Sequence, residues 1–538
     1  MKRILSGLFI LGLTAAGLAP AAAAPNYLVK QKTLATYSGN TTALSAMQKA
    51  QVKATVEANP DAEKFICTGI RYYSQSMSVN IMGRKRAKAA CEYAKQLNPS
   101  LSTWFQNKPT QARSYAGKVL LTVKSPAPVL QETASADISI CKVPDGRGIT
   151  GPRNGSVTLG SYGMSNVGFP QSPDLIPIQG EANLVVVPVA FSDLAPAPSD
   201  VSDYLTEQTA KMTEWSQFWS QGEFEYKFQV VEQWQVLDET EGRFATSDVS
   251  RGERTVETQV ALANAIVAKV GNQVDWAKAH GILVLFPLGF TAYINDWGGR
   301  GDQISTPAGT KPLFFWGGGE YHLKQTGGIS LEAKRELLWS FWIHELLHSQ
   351  GNNLHAPANG WAVGLDRNQY PAFGKFSGAL SSWEAFRMGW VSDSQVLCID
   401  GREDFETSFS QLIPQEVLSG DRKLVIIRTA DHEALIVESR RPIGYSKSWA
   451  STDSGIFVTK LNTSVMNDRT GEGGADCGNS TNWQKWAYIL PPDGSKNLAN
   501  ACAFEPFLLS GSDRVTSDGI TVSVVSSTKG YDYVKVEN

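Results

Sequence analysis

Apolar and polar positions divide the chain into stretches of different period. Thr42 to Val56 repeats at helical spacing and stops at Asn59-Pro60, so a helix is expected there. Lys64 to Ile70 alternates as a strand does. Arg84 to Gln96 returns to a helix that Asn98-Pro99 ends, and Lys118 to Val123 closes the module as a strand. Ser125-Pro126-Ala127-Pro128 opens a linker over 126–140. Beyond it Asn183 to Phe191 is a short apolar run bounded by turn residues, which predicts a buried strand. Helices follow at Val201 to Phe218 and Glu253 to Val270, strands at Glu223 to Trp234 and Gly281 to Pro287, and an edge strand at Pro312 to Trp316. Residues 331–350 contain neither Gly nor Pro and predict a helix. After residue 400 the segments are short and β-branched (Leu424 to Arg428, Ala434 to Glu438, Gly455 to Leu461, Gly519 to Val525), a pattern that suggests a β-sandwich.

These patterns give a multidomain α+β chain: signal peptide 1–24, a small α/β module 25–125, linker 126–140, an α/β domain 141–400 and a β-sandwich 401–538. The signal segment rests on Lys2 and Arg3, the apolar run Ile4 to Leu18 and the small residues Ala21 to Ala24. Export as a secreted or envelope-associated bacterial protein is expected, with no transmembrane anchor after cleavage. Six cysteines without a CxxC pair favour disulfides in an oxidising compartment. Cys67–Cys91 and Cys477–Cys502 are the expected local bridges, leaving Cys141–Cys398 by elimination.

Overall charge is near neutral, yet its distribution is lopsided. Residues 25–125 hold 15 Lys and Arg against 4 Asp and Glu, net +11. The remainder from 126 holds 32 against 48, net −16. A basic module of this kind could bind an anionic cell-wall polymer, while nucleic acid is not an expected partner of an exported chain.

The chemistry concentrates in one helix. Only six histidines occur, and His344, His348 and His355 fall within twelve residues. In His344-Glu345-Leu346-Leu347-His348 the two imidazoles stand one helical turn apart, the spacing that lets both bind one Zn2+. Glu345 is displaced enough to miss the metal and reach a water on it as general base. A catalytic zinc takes three protein ligands. Gly351 fits a left-handed helix end, and the turn at Asn352-Asn353 could return His355 to the metal, with Asp366 and Glu384 as reserves. Within Gly471 to Ser480, Glu472 and Asp476 are candidate Ca2+ ligands, although their spacing is not that of an EF-hand. The expected function is a secreted zinc endopeptidase acting on protein or peptide. The alternatives are a non-catalytic zinc-containing envelope-binding protein, or a zinc amidase acting on cell-wall peptide.

Two resemblances sharpen this. His344-Glu345-xx-His348-xx-Gly351-xxx-His355 resembles the metzincin signature, with the last histidine one residue late. The segments "NLVVVPVAFSDL" (183–194), "WSQFWSQGEFEYKFQVVEQW" (215–234), "SSWEAFRMGWV" (381–391) and "ALIVESRRPIGYSK" (434–447) resemble those of bacterial immune inhibitor A-like metallopeptidases. That family implies a methionine beneath the metal, where this chain offers Phe373; Met388 reads as packing. The helix "GRKRAKAACEYAKQLNP" resembles that of the OmpA-like peptidoglycan-associated domain, Arg86-Ala87 matching its Arg-Ala. The aspartate that this family uses has no counterpart between Cys67 and Arg86.

Overall fold

The computed structural model describes residues 27–72, 77–110, 117–126, 135–146, 167–171, 175–197, 199–244, 256–287, 290, 302–317, 338–352, 378–417, 420–446, 454–464, 487–494, 509, 513–528 and 530–538. The expected signal segment, His355, Asp366, Phe373, Glu472, Asp476 and the Cys477–Cys502 pair lie outside them. The chain is mixed α/β with several sheets, and its contacts divide it at Leu130 into two compact units.

In the first unit, β1 (Tyr27–Thr33), β2 (Lys64–Tyr72), β3 (Ser102–Thr110) and β4 (Val119–Pro126) form a mixed sheet in the order β1-β4-β2-β3. Only β2 and β3 run parallel. Helices α1 (Ala46–Glu57) and α2 (Met77–Leu97) share one face of it. Ser45 caps α1 through a reciprocal capping box with Gln48. The core consists of Val52 and Val56 of α1, Ala87, Ala90 and Ala94 of α2, and Phe65, Leu121 and Val123 of the sheet. The Cys67–Cys91 bridge ties β2 to α2.

Two differences from the sequence reading have local causes. The second helix starts at Met77, seven residues before the expected Arg84, and passes through Gly83, a residue that weakens a helix interior. Gly83 stays in the helix because α2 crosses the sheet closely there: a Cβ on Gly83 would meet Asn107 Oδ1 of β3 at 2.9 Å, and a Cβ on Gly69 of β2 would meet the Gly83 carbonyl oxygen at 2.2 Å. Strand β3 went unread because Trp104 faces out, 65% exposed, beside the inward Phe105, so its apolar positions do not alternate.

The second unit begins in the expected linker. Helix α3 (Ile138–Cys141) is capped by Asp137, Ala136 N–H donates to the Cys398 carbonyl at 2.9 Å, and a Cys141–Cys398 bridge fastens the segment. Its first sheet has the order β6-β5-β8-β10-β9, built from β5 (Gly180–Ala190), β6 (Phe224–Val230), β8 (Gly281–Leu285), β9 (Asp302–Thr306) and β10 (Gly309–Gly317). Strand β7 (Gln235–Val236) also pairs with β5. All pairs are parallel except β9–β10. Alternate residues enter two cores. Leu184, Val186, Leu283 and Trp316 meet α4 (Val201–Trp219) and α6 (Leu338–Ser349); Val185, Val187, Ile282 and Phe315 meet α5 (Val256–Val270).

Strand β10, expected at an edge, is interior, and β9 is the edge. The proline is tolerated because β8 pairs only with Phe314 to Gly317, whereas Pro312 faces β9 alone.

The C-terminal strands make two further sheets. One has the order β11-β13-β14-β15-β16: Val396–Asp400, Leu424–Ala430, Glu433–Arg440, Gly455–Asn462 and Ala487–Ile489. The other has the order β12-β19-β18-β17: Ser408–Leu412, Asp532–Glu537, Ile520–Ser527 and Arg514–Ser517. Val425, Ile427, Val437 and Val458 pack against Val522, Val524, Val534 and Val536, a face-to-face pair as the sequence pattern suggests. The other face of the five-stranded sheet (Leu424, Ile426, Ile436, Phe457) belongs to the core that holds α4 and α6. That core therefore runs unbroken across residue 400.

Candidate active site

Helix α6 carries His344, Glu345 and His348. Ser340, Trp342, Ile343, Leu346, Leu347 and Ser349 are buried at 2% exposure or less, and among the described side chains only Trp339 and Glu345 are partly exposed. A helix so enclosed is held by packing and not by an exposed polar face. Its backbone sets 344 and 348 one turn apart on one side.

The helix ends as its glycine predicts. Gly351 has φ +86°, and Asn352 N–H reaches back to the Leu347 carbonyl at 3.0 Å, the long bond of a Schellman turn. Side chains that sequence reasoning missed brace this turn. Gln350 Oε1 accepts from the Tyr226 hydroxyl at 2.8 Å, and its Nε2 donates to the Pro177 carbonyl at 2.7 Å. Gln171 Nε2 donates to the Gln350 carbonyl at 2.7 Å and to Asn352 Oδ1 at 3.0 Å. Burial holds the Tyr226 hydroxyl proton far above its ordinary range, so it remains a donor. Asn352 Nδ2 points at Met388 Sδ, 3.1 Å away, and Met388 is fully buried, as its packing role requires.

At residue 378 the chain is gripped again. The Gly378 carbonyl accepts from Trp215 Nε1 at 2.6 Å and Trp219 Nε1 at 3.0 Å, both on α4. Gly378 has φ +69°, and a Cβ there would meet the Trp339 ring at 2.8 Å. No periodic signal in the sequence marks these residues, because they act through single hydrogen bonds.

Glu384, the reserve ligand, sits on α7 (Ser382–Arg387), capped by Ser381. Its Oε2 accepts from Arg387 Nη1 at 2.7 Å, with both side chains buried, while Oε1 has no partner among the described residues. Burial pushes this carboxyl up, and Arg387 reverses part of the shift. Glu438 joins α7 to β14: its Oε2 accepts from Ser382 N–H at 3.0 Å and from the Ser382 hydroxyl, and its Oε1 from Arg440 Nε at 3.0 Å. Arg440 also donates to Glu416 at 3.3 Å and to the Leu380 carbonyl at 2.6 Å. The segment that resembles the metallopeptidases, "ESRRP", is thus a buried ionic joint.

Of the expected site, the described residues place His344, Glu345 and His348 on one helix and the Gly351 turn after it. Glu345 is the one whose side chain is described, and it is half-buried.

Neither a protein-family model nor a curated protein matches the chain. Among solved structures, the OmpA-like domain of FopA1 from Francisella tularensis is similar to 19% of this chain and 72% of its own, at 17% identity and TM-score 0.15. Wild-type OgpA from Akkermansia muciniphila covers 67% of this chain and 94% of its own, at 12% identity and TM-score 0.22. Catalytically inactive OgpA in complex with an O-glycopeptide substrate covers 70% and 97%, at 11% identity and TM-score 0.19. TM-scores this low establish no common fold.

Proposed function

We propose that the second unit is a zinc-dependent endopeptidase with His344, His348 and His355 as ligands and Glu345 as general base. The observation that carries this is the enclosed helix α6. The described side chains of this helix are buried nearly all round, and its sequence sets two histidines and a glutamate within five residues, where ionisable groups are rare without a chemical role. Two imidazole donors with a carboxylate beside them form a set that fits zinc, and His355 follows the Gly351 turn in the sequence as the third donor. When bound, zinc would acidify a water and polarise the scissile carbonyl.

Glu345 accepts the proton of the attacking water at a carboxylate oxygen and delivers it to the leaving amide nitrogen. The hydrogen bonds at Gln350 and Gly378 hold the chain at residues 350 and 378, so that the helix end is fixed before substrate arrives. We further propose that residues 25–125 are an OmpA-like module that retains the exported chain on an anionic polymer of the envelope.

The test is Glu345→Gln. Stoichiometric zinc by metal analysis with casein cleavage reduced by about two to four orders of magnitude is expected. Absence of zinc from the wild-type protein, or proteolysis unchanged in the variant, refutes the reading. Cleavage of isolated cell wall but of no protein would select the amidase.

A further inference from the structure

The whole core of the first unit lies on the helix side of its sheet; none of Ile66, Thr68, Leu120 and Thr122, which point to the other side, belongs to it. Strand register defines this second face. Lys64 stands opposite Lys124, Ile66 opposite Thr122 and Thr68 opposite Leu120. Trp104 lies beside Ile66, Gln106 beside Thr68 and Lys108 beside Ile70. Gln31 and Thr33 extend the face across β1.

Its composition is one-sided. Lys64, Lys108 and Lys124 stand on it, with no Asp or Glu among its described strand positions, although like charges directly across strands cost stability. The four acidic residues of 25–125 lie elsewhere: Glu57 and Glu92 on the helices, paired with Lys53 and Lys88, and Asp61 and Glu63 in the turn before β2. Amides and hydroxyls fill the middle, Gln106 Nε2 donating to Thr68 Oγ1 at 3.0 Å and Gln31 Nε2 to Thr122 Oγ1 at 3.5 Å. Trp104 exposes 65% of its surface.

We propose that this sheet face binds an anionic polysaccharide. The flat indole offers an apolar platform for the C–H face of a sugar ring, Gln31 and Gln106 can exchange hydrogen bonds with its hydroxyls while Thr68 and Thr122, 5% and 8% exposed, stay within the sheet, and the lysines attract carboxylate or phosphate groups along the polymer. The place differs from Arg86, whose guanidinium donates to the carbonyls of Gly39 at 2.6 Å, Thr41 at 2.9 Å and Gly117 at 3.1 Å and stacks over Tyr37. Those bonds commit Arg86 to holding the fold. The proposal rests on envelope retention by this module; polymer binding lost in the helix-lysine variant but kept in the face variants would overturn this face and leave retention standing, so the two readings fail separately.

The experiment measures full-length protein on three probes: polygalacturonate, neutral dextran and poly(dT). Binding to polygalacturonate that weakens with salt, absence of binding to dextran and weaker binding to poly(dT) are expected. Trp104→Ala should cost about tenfold in affinity. Replacing Lys64, Lys108 and Lys124 together by Gln should cost at least about tenfold at low salt. The matched control replaces Lys49, Lys53 and Lys88, all on the helices, by Gln and should leave binding within about twofold. Equal binding to dextran, preference for poly(dT), equal loss in the helix-lysine control, or unchanged affinity in both face variants overturns the proposal. Circular dichroism of each variant identifies any that fails to fold; Trp104 and Lys108 are exposed, so their substitutions leave the core intact.

Discussion

Replacing Arg440 by Met tests whether the joint between α7 and the C-terminal sheet holds the second unit together. The guanidinium is 2% exposed and serves three acceptors: Glu438 at 3.0 Å, Glu416 at 3.3 Å and the Leu380 carbonyl at 2.6 Å. Methionine fills a comparable volume, so little cavity is created. The cost comes from what remains. Glu416 is 0% and Glu438 5% exposed at the side chain, and both lose their cation. Breaking a buried pair costs about 3–5 kcal/mol, and an orphaned carbonyl adds about 1 kcal/mol or more. Glu438 keeps Ser382 and Glu416 keeps Ser446, Arg441 N–H and solvent-free packing, so the expected loss is at the lower end, about 3–4 kcal/mol. The assay is urea unfolding followed by tryptophan fluorescence, in which all but one of the 15 tryptophans lie beyond residue 130 and report the second unit. Adding Glu438→Gln to Arg440→Met should recover part of the loss, since it removes one stranded charge. A loss below about 1 kcal/mol, or a double variant less stable by the full sum of the singles, refutes the reasoning.

Other consequences can be measured directly. Gly69→Ala forces a methyl group against the Gly83 carbonyl, 2.2 Å from the ideal Cβ, and should destabilise the first unit by about 2–3 kcal/mol, read by thermal unfolding of residues 25–125 within the whole chain. Lys423, held by the carbonyls of Pro414, Gln415 and Val417, has its pKa lowered by burial to about 8. The unfolded chain then binds the extra proton between about pH 8 and the ordinary lysine value, so this residue contributes a stability that rises with pH across that window. Wild type minus Lys423→Met should show that slope, and a flat difference contradicts it. Replacing Cys141 and Cys398 by Ser opens a separation of 257 residues and should lower the stability of the second unit by about 5 kcal/mol on the chain-entropy account, measured by urea unfolding.

Periodicity made the interior strands and long helices legible because burial dictates their pattern. The run Asn183 to Phe191 is a β-strand whose alternate residues feed two cores, and Val201 to Phe218 is helical to within a residue. Strand β3 and the start of α2 were hidden: one carries an outward Trp104, and the other accommodates Gly83 where Asn107 of β3 leaves no room for a Cβ. In the candidate site, His344, Glu345, His348 and the Gly351 turn were readable from spacing, since helix geometry and a left-handed end are local properties. Gln171, Gln350, Tyr226 and the Trp215–Trp219 grip on Gly378 were not. Their partners stand over a hundred positions away along the chain, and only folding brings them together. Two of the three expected bridges, Cys67–Cys91 and Cys141–Cys398, are present in the described residues, and they fit an exported protein. No helix among those residues is long and apolar enough to cross a membrane.

The five-stranded sheet packs on one side against its partner sheet and on the other against the helices around α6. A chain ending at residue 400 would leave β11 without β13 and Ser382 without Glu438, and would strip Leu424, Ile426, Ile436 and Phe457 from the core that includes Leu346 and Trp383. The portion bearing the HELLH helix is therefore no transferable cassette. In gene fusions and under limited proteolysis, the separable piece of this protein is the one before residue 130, and the larger unit beyond it travels whole or not at all.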